Sequence, residues 1–249
     1  MNFNQLYDRN TLYISGEDQQ IIKNYKIFLA GCGIGSNIAE CALRIGFERQ
    51  TLVDGDFVEI SNLNRQNYIL QNIGCNKSES LRNRLLSINP SANVDSMSLF
   101  LNTENIKIYL PEHDIAVNAL DFQTDVPFQF DKLCQEEGIP VLHPYNFGWG
   151  SLIFVIMPAS RNLSYISEES KGFERKVASF LIDNITGNAK YWVKDVLQRY
   201  EESGKDQSPP QLSIGSWLAA GACTNIMYLL ATGKPVKVFP EFYFITTEQ

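Results

Sequence analysis

Short apolar runs alternate with amphipathic stretches along the first two thirds of the chain. The runs that predict strands are 26–30, 51–56, 93–101, 115–119, 140–142 and 151–157. Apolar residues recur at helical spacing in 36–45, 77–88 and 128–137. The runs 26–30 and 115–119 are apolar almost throughout, so these strands are expected to be buried on both faces, whereas 93–101 alternates between apolar and polar residues. The alternation predicts an α/β fold of Rossmann-like type, with a mainly parallel sheet and helices on both faces.

The last third of the chain departs from this rhythm. Two amphipathic helices are predicted at 173–185 and 189–202, followed by a turn-rich stretch and an apolar helix at 214–230. Residues 237–246 predict one or two terminal strands that extend the sheet, and the first 25 residues predict an arm or a short helix. We therefore expect a single domain over 1–249, with an insertion-like crossover segment at about 158–210.

Composition limits the possible functions. The 249 residues are 44% hydrophobic and 20% charged, as in globular proteins. No apolar run is expected to reach the ~20 residues of a bilayer span, and the first residues do not resemble a secretory signal, so no membrane partner is expected. Five cysteines form no C-x-x-C pair, which predicts reduced thiols, a cytoplasmic location and no zinc. The net charge of −7 disfavours a nucleic-acid partner.

A glycine-rich loop follows the first predicted strand. Gly31, Gly33 and Gly35 let the backbone approach a phosphate, and the helix that follows offers free N–H groups. Asp54 ends the second predicted strand, where an acid typically binds ribose hydroxyls. Two alternatives remain at this point: a tight turn that binds no ligand, and an NAD(P) site.

The residues after Asp54 favour chemistry on ATP. The chain continues as D-G-D at 54–56, S-N-L-N-R-Q at 61–66 and G-C-N-K at 74–77. Attack of a carboxylate on the α-phosphate of ATP requires neutralised phosphates and in-line positioning rather than a nucleophilic side chain. Arg65 and Lys77 can supply the positive charge, and the Asn62 amide can donate to a phosphate oxygen.

These blocks resemble the ThiF/MoeB adenylyltransferases of the ubiquitin-activating-enzyme-like superfamily, whose hallmark is D-x-D, then S-N-L-x-R-Q, then G-x-x-K. The resemblance covers about 5–157 well and 214–232 more loosely. It implies that ATP is the cofactor, that Asp54 binds the ribose, and that Asn62, Arg65 and Lys77 contact the phosphates. The candidate nucleotide-binding set is Gly31, Gly33, Gly35, Asp54, Asp56, Asn62, Arg65, Gln66 and Lys77.

Asp121 is the candidate magnesium ligand. The stretch 118–121, N-A-L-D, ends a buried strand and resembles the family's D-x-x-D, whose second acid binds Mg²⁺. Mg²⁺ prefers one or two carboxylates together with phosphate oxygens. Asn118 replaces the first acid of that pattern. The alternative for Asp121 is a helix N-cap, which would not exclude metal binding.

Arg9 is the fourth candidate catalytic residue, beside Arg65, Lys77 and Asp121. Residues 7–10, Y-D-R-N, resemble the family's R-Y-x-R-Q element, whose last arginine reaches the ATP of the partner subunit. The resemblance therefore implies a homodimer with an arginine supplied in trans. The alternative is an arginine that is merely solvated.

The chain departs from many relatives in its cysteines. No cysteine lies between Cys134 and Cys223, where those relatives form a thioester, and their zinc-binding pairs are absent. We expect adenylation of a C-terminal carboxylate, on a ubiquitin-like β-grasp protein or a peptide, without an enzyme thioester. The family threads the substrate tail past glycines, for which Gly148 and Gly150 are candidates.

Three other functions remain open from the sequence. One is a non-catalytic nucleotide-binding or scaffold member of the same fold, suggested by the short glycine loop and Asn118. Another is an NAD(P)-linked oxidoreductase, which only the glycines and Asp54 support. A variant within the adenylating class would act on a small-molecule or tRNA-linked carboxylate, although the acidic charge disfavours tRNA.

Overall fold

One twisted sheet organises the computed structural model, which describes residues 5–203 and 209–247. Its seven strands are β1 (Lys26–Ala30), β2 (Arg49–Val53), β3 (Asn93–Met97), β4 (Ile115–Asn118), β5 (Val141–Asn146), β6 (Gly150–Ile156) and β7 (Tyr243–Thr246). Their order is β3-β2-β1-β4-β5-β6-β7. Strands β1 to β5 pair in parallel, and β6 runs antiparallel to both β5 and β7. The predicted α/β class is confirmed.

Helices cover both faces of this sheet. They are α1 (Gly16–Asn24), α2 (Gly35–Ile45), α3 (Lys77–Ile88), α4 (Thr103–Tyr109), α5 (Val126–Glu136), α6 (Phe173–Asn184), α7 (Ala189–Glu202) and α8 (Ser213–Ala231). Alternate residues of each strand serve opposite faces. On β1, Ile27 and Leu29 pack with α1, α2, α3 and α8, whereas Phe28 packs with α4 to α7. Because both faces are covered, β4 and β6 are buried along their whole length, whereas the edge strand β3 begins with alternating exposed and buried residues.

The segment predicted as insertion-like supplies half of one helical layer. Helices α6 and α7 bury Phe173, Val177 and Val193 in the same apolar cluster as β5 and β6. The segment thus packs on the sheet rather than apart from it. The extent of the domain stays a prediction.

Helix α8 corrects one expectation from the sequence. Its 19 residues are long and apolar enough to cross a membrane by length and composition alone, and half of the most apolar window is buried in the protein. The small residues Ala219, Ala220 and Cys223 are fully buried. Ala220 and Cys223 pack with Leu142 of β5 and Ile153 of β6, on the face of the sheet opposite to α6 and α7, so α8 is a core helix of the fold.

One other element prediction was wrong. The strand expected at 93–101 ends at Met97, and the unpredicted helix α4 follows. Asn102 caps α4 by accepting hydrogen bonds from the backbone N–H groups of Glu104 and Asn105, a signal present in the sequence.

The terminal strand predicted within 237–246 is confirmed. It is β7, which extends the sheet by pairing with β6, and residues 237–242 form an irregular connection before it.

Candidate nucleotide-binding and active site

The candidate residues gather at the carboxyl ends of β1, β2 and β4. Strand β1 lies between β2 and β4, so the chain leaves β1 toward one side of the sheet and returns on the other. Such a switch point opens a crevice at the carboxyl ends of the strands. Gly31 follows β1, Asp54 follows β2, and Asp121 lies three residues beyond β4.

The glycine loop has steric reasons for its composition. Gly31 has φ +92°, and a Cβ there would lie 2.5 Å from the carbonyl oxygen of Ala119. A Cβ on Gly35 would lie 2.6 Å from Cδ2 of Leu29. These two glycines are therefore required by the fold itself, before any ligand is considered.

The loop also leaves backbone donors available. Helix α2 begins without a side-chain cap. Within the part of the chain that the structure describes, the N–H groups of Gly33, Ile34 and Gly35 have no hydrogen-bond acceptor. Free N–H groups at a helix N-terminus form an anion-binding site. The geometry therefore favours a phosphate site over a turn that binds nothing.

Asp54 ties the glycine loop to the next loop. Its Oδ2 accepts from the N–H of Cys32 at 2.6 Å, and its Oδ1 accepts from the N–H of Asp56 at 2.8 Å. Burial raises the pKa of Asp54 despite these two hydrogen bonds and the nearby charge of Lys77. The contact with ribose stays a prediction, since each oxygen is already engaged once.

Lys77 begins α3 and is buried, with its Nζ 3.0 Å from Oδ2 of Asp56. Asn76, which the sequence reasoning missed, fixes this pair. Its Oδ1 caps α3 by accepting from the N–H of Glu79, and its Nδ2 donates to the carbonyl oxygens of Asp54 and Asp56. An Asn three residues ahead of Glu79 is the capping signal that could have identified it.

Hydrogen bonds at Nε and Nη1 hold the guanidinium of Arg65 in place. Its Nε donates to Oε1 of Gln211 at 2.6 Å, and its Nη1 donates to the carbonyl oxygen of Ser61 and to Oδ1 of Asn64. Burial lowers the pKa of Arg65, and the carboxylate of Asp121 acts in the opposite direction. No ion pair to Arg65 forms within 5–203 and 209–247.

Asp121 is the carboxylate that interacts electrostatically with both Lys77 and Arg65. Although its side chain is open to solvent, the surrounding protein desolvates it and raises its pKa, while Lys77 and Arg65 act to lower it. The charge of Asp56 raises it further. Asp121, Lys77, Asp56 and Arg65 therefore lie within electrostatic reach of one another, on the same crevice. Their roles in catalysis stay predictions.

Asn62 and Gln66 line the same region. Asn62 is buried, and its Oδ1 accepts from the N–H of Glu59, which leaves its Nδ2 as the group able to meet a ligand. Gln66 lies against the glycine loop, since a Cβ on Gly33 would be 3.4 Å from Nε2 of Gln66. The Oε1 of Gln66 is buried and has no hydrogen-bond partner among the residues that the structure describes.

Arg9 is not brought to this crevice. It lies in a short 3₁₀ turn whose neighbours Tyr7 and Asn10 bond Asn89 and the carbonyl oxygen of Ile45, at the amino ends of the strands. Arg9 itself is exposed. It cannot act on the site of its own chain from there, so the predicted role in trans stays a prediction.

Comparison with known proteins decides the family. A model of the ThiF family matches residues 7–242. The chain belongs to the ThiF family. The resemblance drawn from the sequence motifs is thereby confirmed, and it favours adenylation over the NAD(P) hypothesis.

Relatives and solved structures agree with this assignment. The chain is 31% identical over 139 residues to the tRNA threonylcarbamoyladenosine dehydratase of Bacillus subtilis, covering 55% of this chain and 54% of that protein. It is 30% identical over 161 residues to the sulfur carrier protein ThiS adenylyltransferase of the same organism, covering 62% and 47%. The chain thus spans about half the length of these curated relatives.

Among solved structures, Escherichia coli MccB with MccA-N7isoASN matches all of this chain and 70% of that chain, with TM-score 0.74 and 20% identity. PaaA matches all of this chain and 81% of its own, with TM-score 0.70 and 19% identity. At these identities the likeness concerns the fold.

The cysteines of this ThiF-family chain lie mostly in the core. All five are free thiols. Burial raises the pKa of Cys32, Cys134 and Cys223, which disfavours the reactive thiolate. Cys75 is the exposed one, two residues before Lys77.

Asn118 belongs to a buried polar network that sequence reasoning missed. Its Nδ2 donates to Oδ1 of Asp131 at 2.9 Å, and Nε2 of His143 lies 2.7 Å from the same oxygen. All three side chains are at most 3% exposed. An amide at 118 provides the hydrogen-bond donor that Asp131 requires, which an acid could not do when ionised. His143 is thus a buried histidine whose Nε2 has a hydrogen-bond partner.

One glycine expectation was wrong. A Cβ on Gly150 would lie 2.9 Å from the carbonyl oxygen of Ile245 in β7, so the space beside this glycine is filled by the sheet and not left for a peptide. Gly148 has φ +75° and faces only the side chain of Leu212, at 3.6 Å.

Proposed function

We propose that this chain activates a carboxylate with ATP. A carboxylate oxygen of the substrate attacks the α-phosphorus, the bond from that phosphorus to the bridging oxygen breaks, and pyrophosphate leaves with the electron pair. The product is an acyl-adenylate. No side chain forms a covalent bond, so the protein's contribution is positioning and charge stabilisation.

One observation carries the proposal: Arg65, Lys77 and Asp121 share a crevice with the free N–H groups of the glycine loop. The loop N–H groups suit phosphate oxygens, and the cations offset the charge that develops on the departing pyrophosphate. Membership of the ThiF family supports ATP as the cofactor. Asp54, Asp56, Asn62 and Gln66 complete the proposed nucleotide site.

The residues also fit a magnesium ion bound together with ATP. Asp121 offers a carboxylate that makes no ion pair within the described ranges, and Mg²⁺ accepts one or two carboxylates with phosphate oxygens and water as its other ligands. Asp121 would hold the ion, which when bound would neutralise phosphate charge. Lys77 and Arg65 limit the pKa rise of Asp121, and so favour its ionised form.

We propose a C-terminal carboxylate as the substrate group, on a ubiquitin-like β-grasp protein or a peptide. In support, one curated relative is named for acting on the sulfur carrier ThiS, and MccB has been solved with MccA. The tRNA-directed relative suggests a different substrate, which the net charge of −7 disfavours here. Three cysteines are buried, and the exposed Cys75 lies outside the crossover segment at about 158–210, which contains no cysteine. This supports transfer to an outside nucleophile without an enzyme thioester, and five free thiols fit the cytoplasm.

ATP–pyrophosphate exchange tests the proposal. The protein is incubated with ATP, Mg²⁺, labelled pyrophosphate and a panel of candidate proteins and peptides, and intact mass is used to find an AMP adduct. Exchange that depends on one substrate's free C-terminus is the expected result, and amidation of that C-terminus should abolish it. Tight ATP binding with no exchange across the panel would favour the non-catalytic alternative.

A homodimer with Arg9 acting in trans is a further part of the proposal. It is supported by the position of Arg9 at the amino ends of the strands, whereas the crevice of the same chain lies at their carboxyl ends. Arg9→Ala and Asp121→Asn are each expected to be inactive, whereas a refolded equal mixture should regain roughly a quarter of wild-type exchange. A mixture as inactive as its parts would refute action in trans.

A further inference from the structure

The guanidinium of Arg65 uses three of its five N–H donors inside the protein. Nε binds Gln211, and Nη1 binds Ser61 and Asn64. Only Nη2 has no acceptor within the described part of the chain, so its two N–H groups remain available at one end of the planar guanidinium. The three hydrogen bonds at Nε and Nη1 therefore determine the direction in which Nη2 points.

Gln211 is the partner that comes from outside the motif. Ser61 and Asn64 belong to the loop of Arg65, whereas Gln211 lies 146 positions further along the chain and binds at 2.6 Å. It follows the crossover segment directly and lies two positions before Ser213, the first residue of α8. A single side chain thus joins the end of the crossover segment to the candidate nucleotide site.

The backbone beside Gln211 is fixed from a second direction. Asn146, the last residue of β5, donates through Nδ2 to the carbonyl oxygen of Leu212 at 2.8 Å and to Oγ of Ser216 at 2.9 Å. Gly215 makes room for this clamp, since a Cβ there would lie 2.3 Å from Oδ1 of Asn146. Gln211 therefore presents its oxygen to Arg65 from a rigid turn.

We propose that Gln211 is a positioning residue for Arg65, fixing the plane of the guanidinium so that Nη2 faces the phosphates of ATP. This inference rests on the proposed function. An arginine side chain loses rotamer entropy when it is ordered, and Gln211 has ordered Arg65 before ligand arrives. The crossover segment thereby contributes to nucleotide affinity without touching the nucleotide.

The test uses Gln211→Met, which keeps side-chain length and removes the acceptor, with Gln71→Met as the matched control on an exposed turn of the same loop region. Calorimetric titration measures the affinity for ATP with Mg²⁺ and, separately, for adenosine. We expect Gln211→Met to weaken ATP binding about tenfold and to leave adenosine binding unchanged. Gln71→Met should match wild type for both ligands.

A double-mutant cycle identifies the residue through which Gln211 acts. In an Arg65→Lys background the Nε donor is gone, so the tenfold effect of Gln211→Met should fall below about twofold. Equal weakening of ATP and adenosine, or an effect undiminished in Arg65→Lys, would refute the positioning role in favour of a structural one. Should Gln211→Met not fold, Gln211→Ala gives the same two ratios.

The outcomes also separate this inference from the function on which it rests. Wild-type protein that binds no ATP would refute the proposed function and the positioning role with it. Wild-type protein that binds ATP as tightly as Gln211→Met would refute the positioning role alone.

Discussion

Two charged clusters of similar composition lie within the same half of the molecule and differ in how they are paired. In the first, Glu40 of α2 binds Arg44 at 2.7 Å and Arg84 of α3 at 2.5 Å, and it also accepts from Nδ2 of Asn67. We call this the α2–α3 cluster. The second is the candidate site, in which Asp121 has two cations near it and an ion pair with neither.

The pKa values show what this difference means. Burial alone would raise the pKa of Glu40, but hydrogen bonds from Arg84 and Arg44 outweigh it, so that the pKa is lowered. Burial raises the pKa of Asp121, and Lys77 and Arg65 do not fully offset it. In the α2–α3 cluster, the contacts of Glu40 with Arg44, Arg84 and Asn67 join two helices and a loop. In the candidate site Lys77 pairs with Asp56, but Asp121 and Arg65 form no ion pair within the described residues, and the raised pKa of Asp121 shows that its charge is a cost to the folded state.

The largest effect should come from removing the carboxylate of the candidate site. Asp121→Asn is expected to lower pyrophosphate exchange by about 10³-fold, because a metal-binding charge is lost while side-chain shape is kept. The exposed Asp183→Asn serves as the control, and it should exchange at the wild-type rate. Exchange that persists in Asp121→Asn would show that this carboxylate does not hold the metal.

The α2–α3 cluster should respond in the opposite way. Glu40→Gln is expected to lower the free energy of unfolding by about 2 kcal/mol, since the new amide would place a donor against Arg84 and leave two arginines without their acid. Urea denaturation measures this loss. Exchange activity, assayed well below the melting temperature, should stay near wild type. The exposed Glu168→Gln is the control, and a similar loss there would refute the assignment.

The lowered pKa of Glu40 predicts how that stability depends on pH. A carboxylate whose pKa is lower in the folded chain stabilises fully above its unfolded value, about 4.3, and loses this effect as pH falls through the folded value. The gap in unfolding free energy between wild type and Glu40→Gln should be constant from pH 7 to pH 5 and shrink below about pH 4.3. A gap that stays constant to pH 3 would contradict the paired state of Glu40.

The smallest expected effect is the change that Asp121→Asn causes in the free energy of unfolding. The raised pKa of Asp121 means that its ionised form is disfavoured in the folded chain. Its favourable contribution to the free energy of unfolding is therefore present below the pKa of the unfolded chain and is lost as pH rises through the pKa of the folded chain. At pH 7, Asp121→Asn should therefore unfold at the same or a slightly higher urea concentration than wild type. A clear loss of stability would mean that Asp121 supports the fold.

Much of the fold could be predicted because the signals are local. The bounds of β1, α3 and α7 agree with the sequence prediction to the residue, since an apolar run or stripe ends there at a polar or turn-forming stretch. Helix α4 was missed because it is short and its cap, Asn102, directly follows the stretch 93–101 that was predicted as one strand. Strand β5 runs beyond the predicted 140–142 because antiparallel pairing with β6, a tertiary contact, extends it.

In the candidate site, too, residues with a local sequence signal could be predicted and residues placed by tertiary contacts could not. Arg65, Lys77 and Asp121 could be found because they stand in short motifs whose spacing is visible. Gln211 could not, since its partner lies 146 positions away and nothing in the intervening sequence indicates the contact. Neither could the network of Asn118, which depends on a helix and a strand that are packed only in the folded chain.

The close approach between Gly31 and Ala119 sets a limit on how such a site can be altered. A methyl group at position 31 would push β1 and β4 apart at the floor of the crevice. Variants there should lose fold and chemistry together, and screens for altered nucleotide use will discard them as unfolded protein. We therefore expect tolerated substitutions in the loops around the crevice, such as the one that carries Gln211, and a glycine retained at position 31 in variants that still fold.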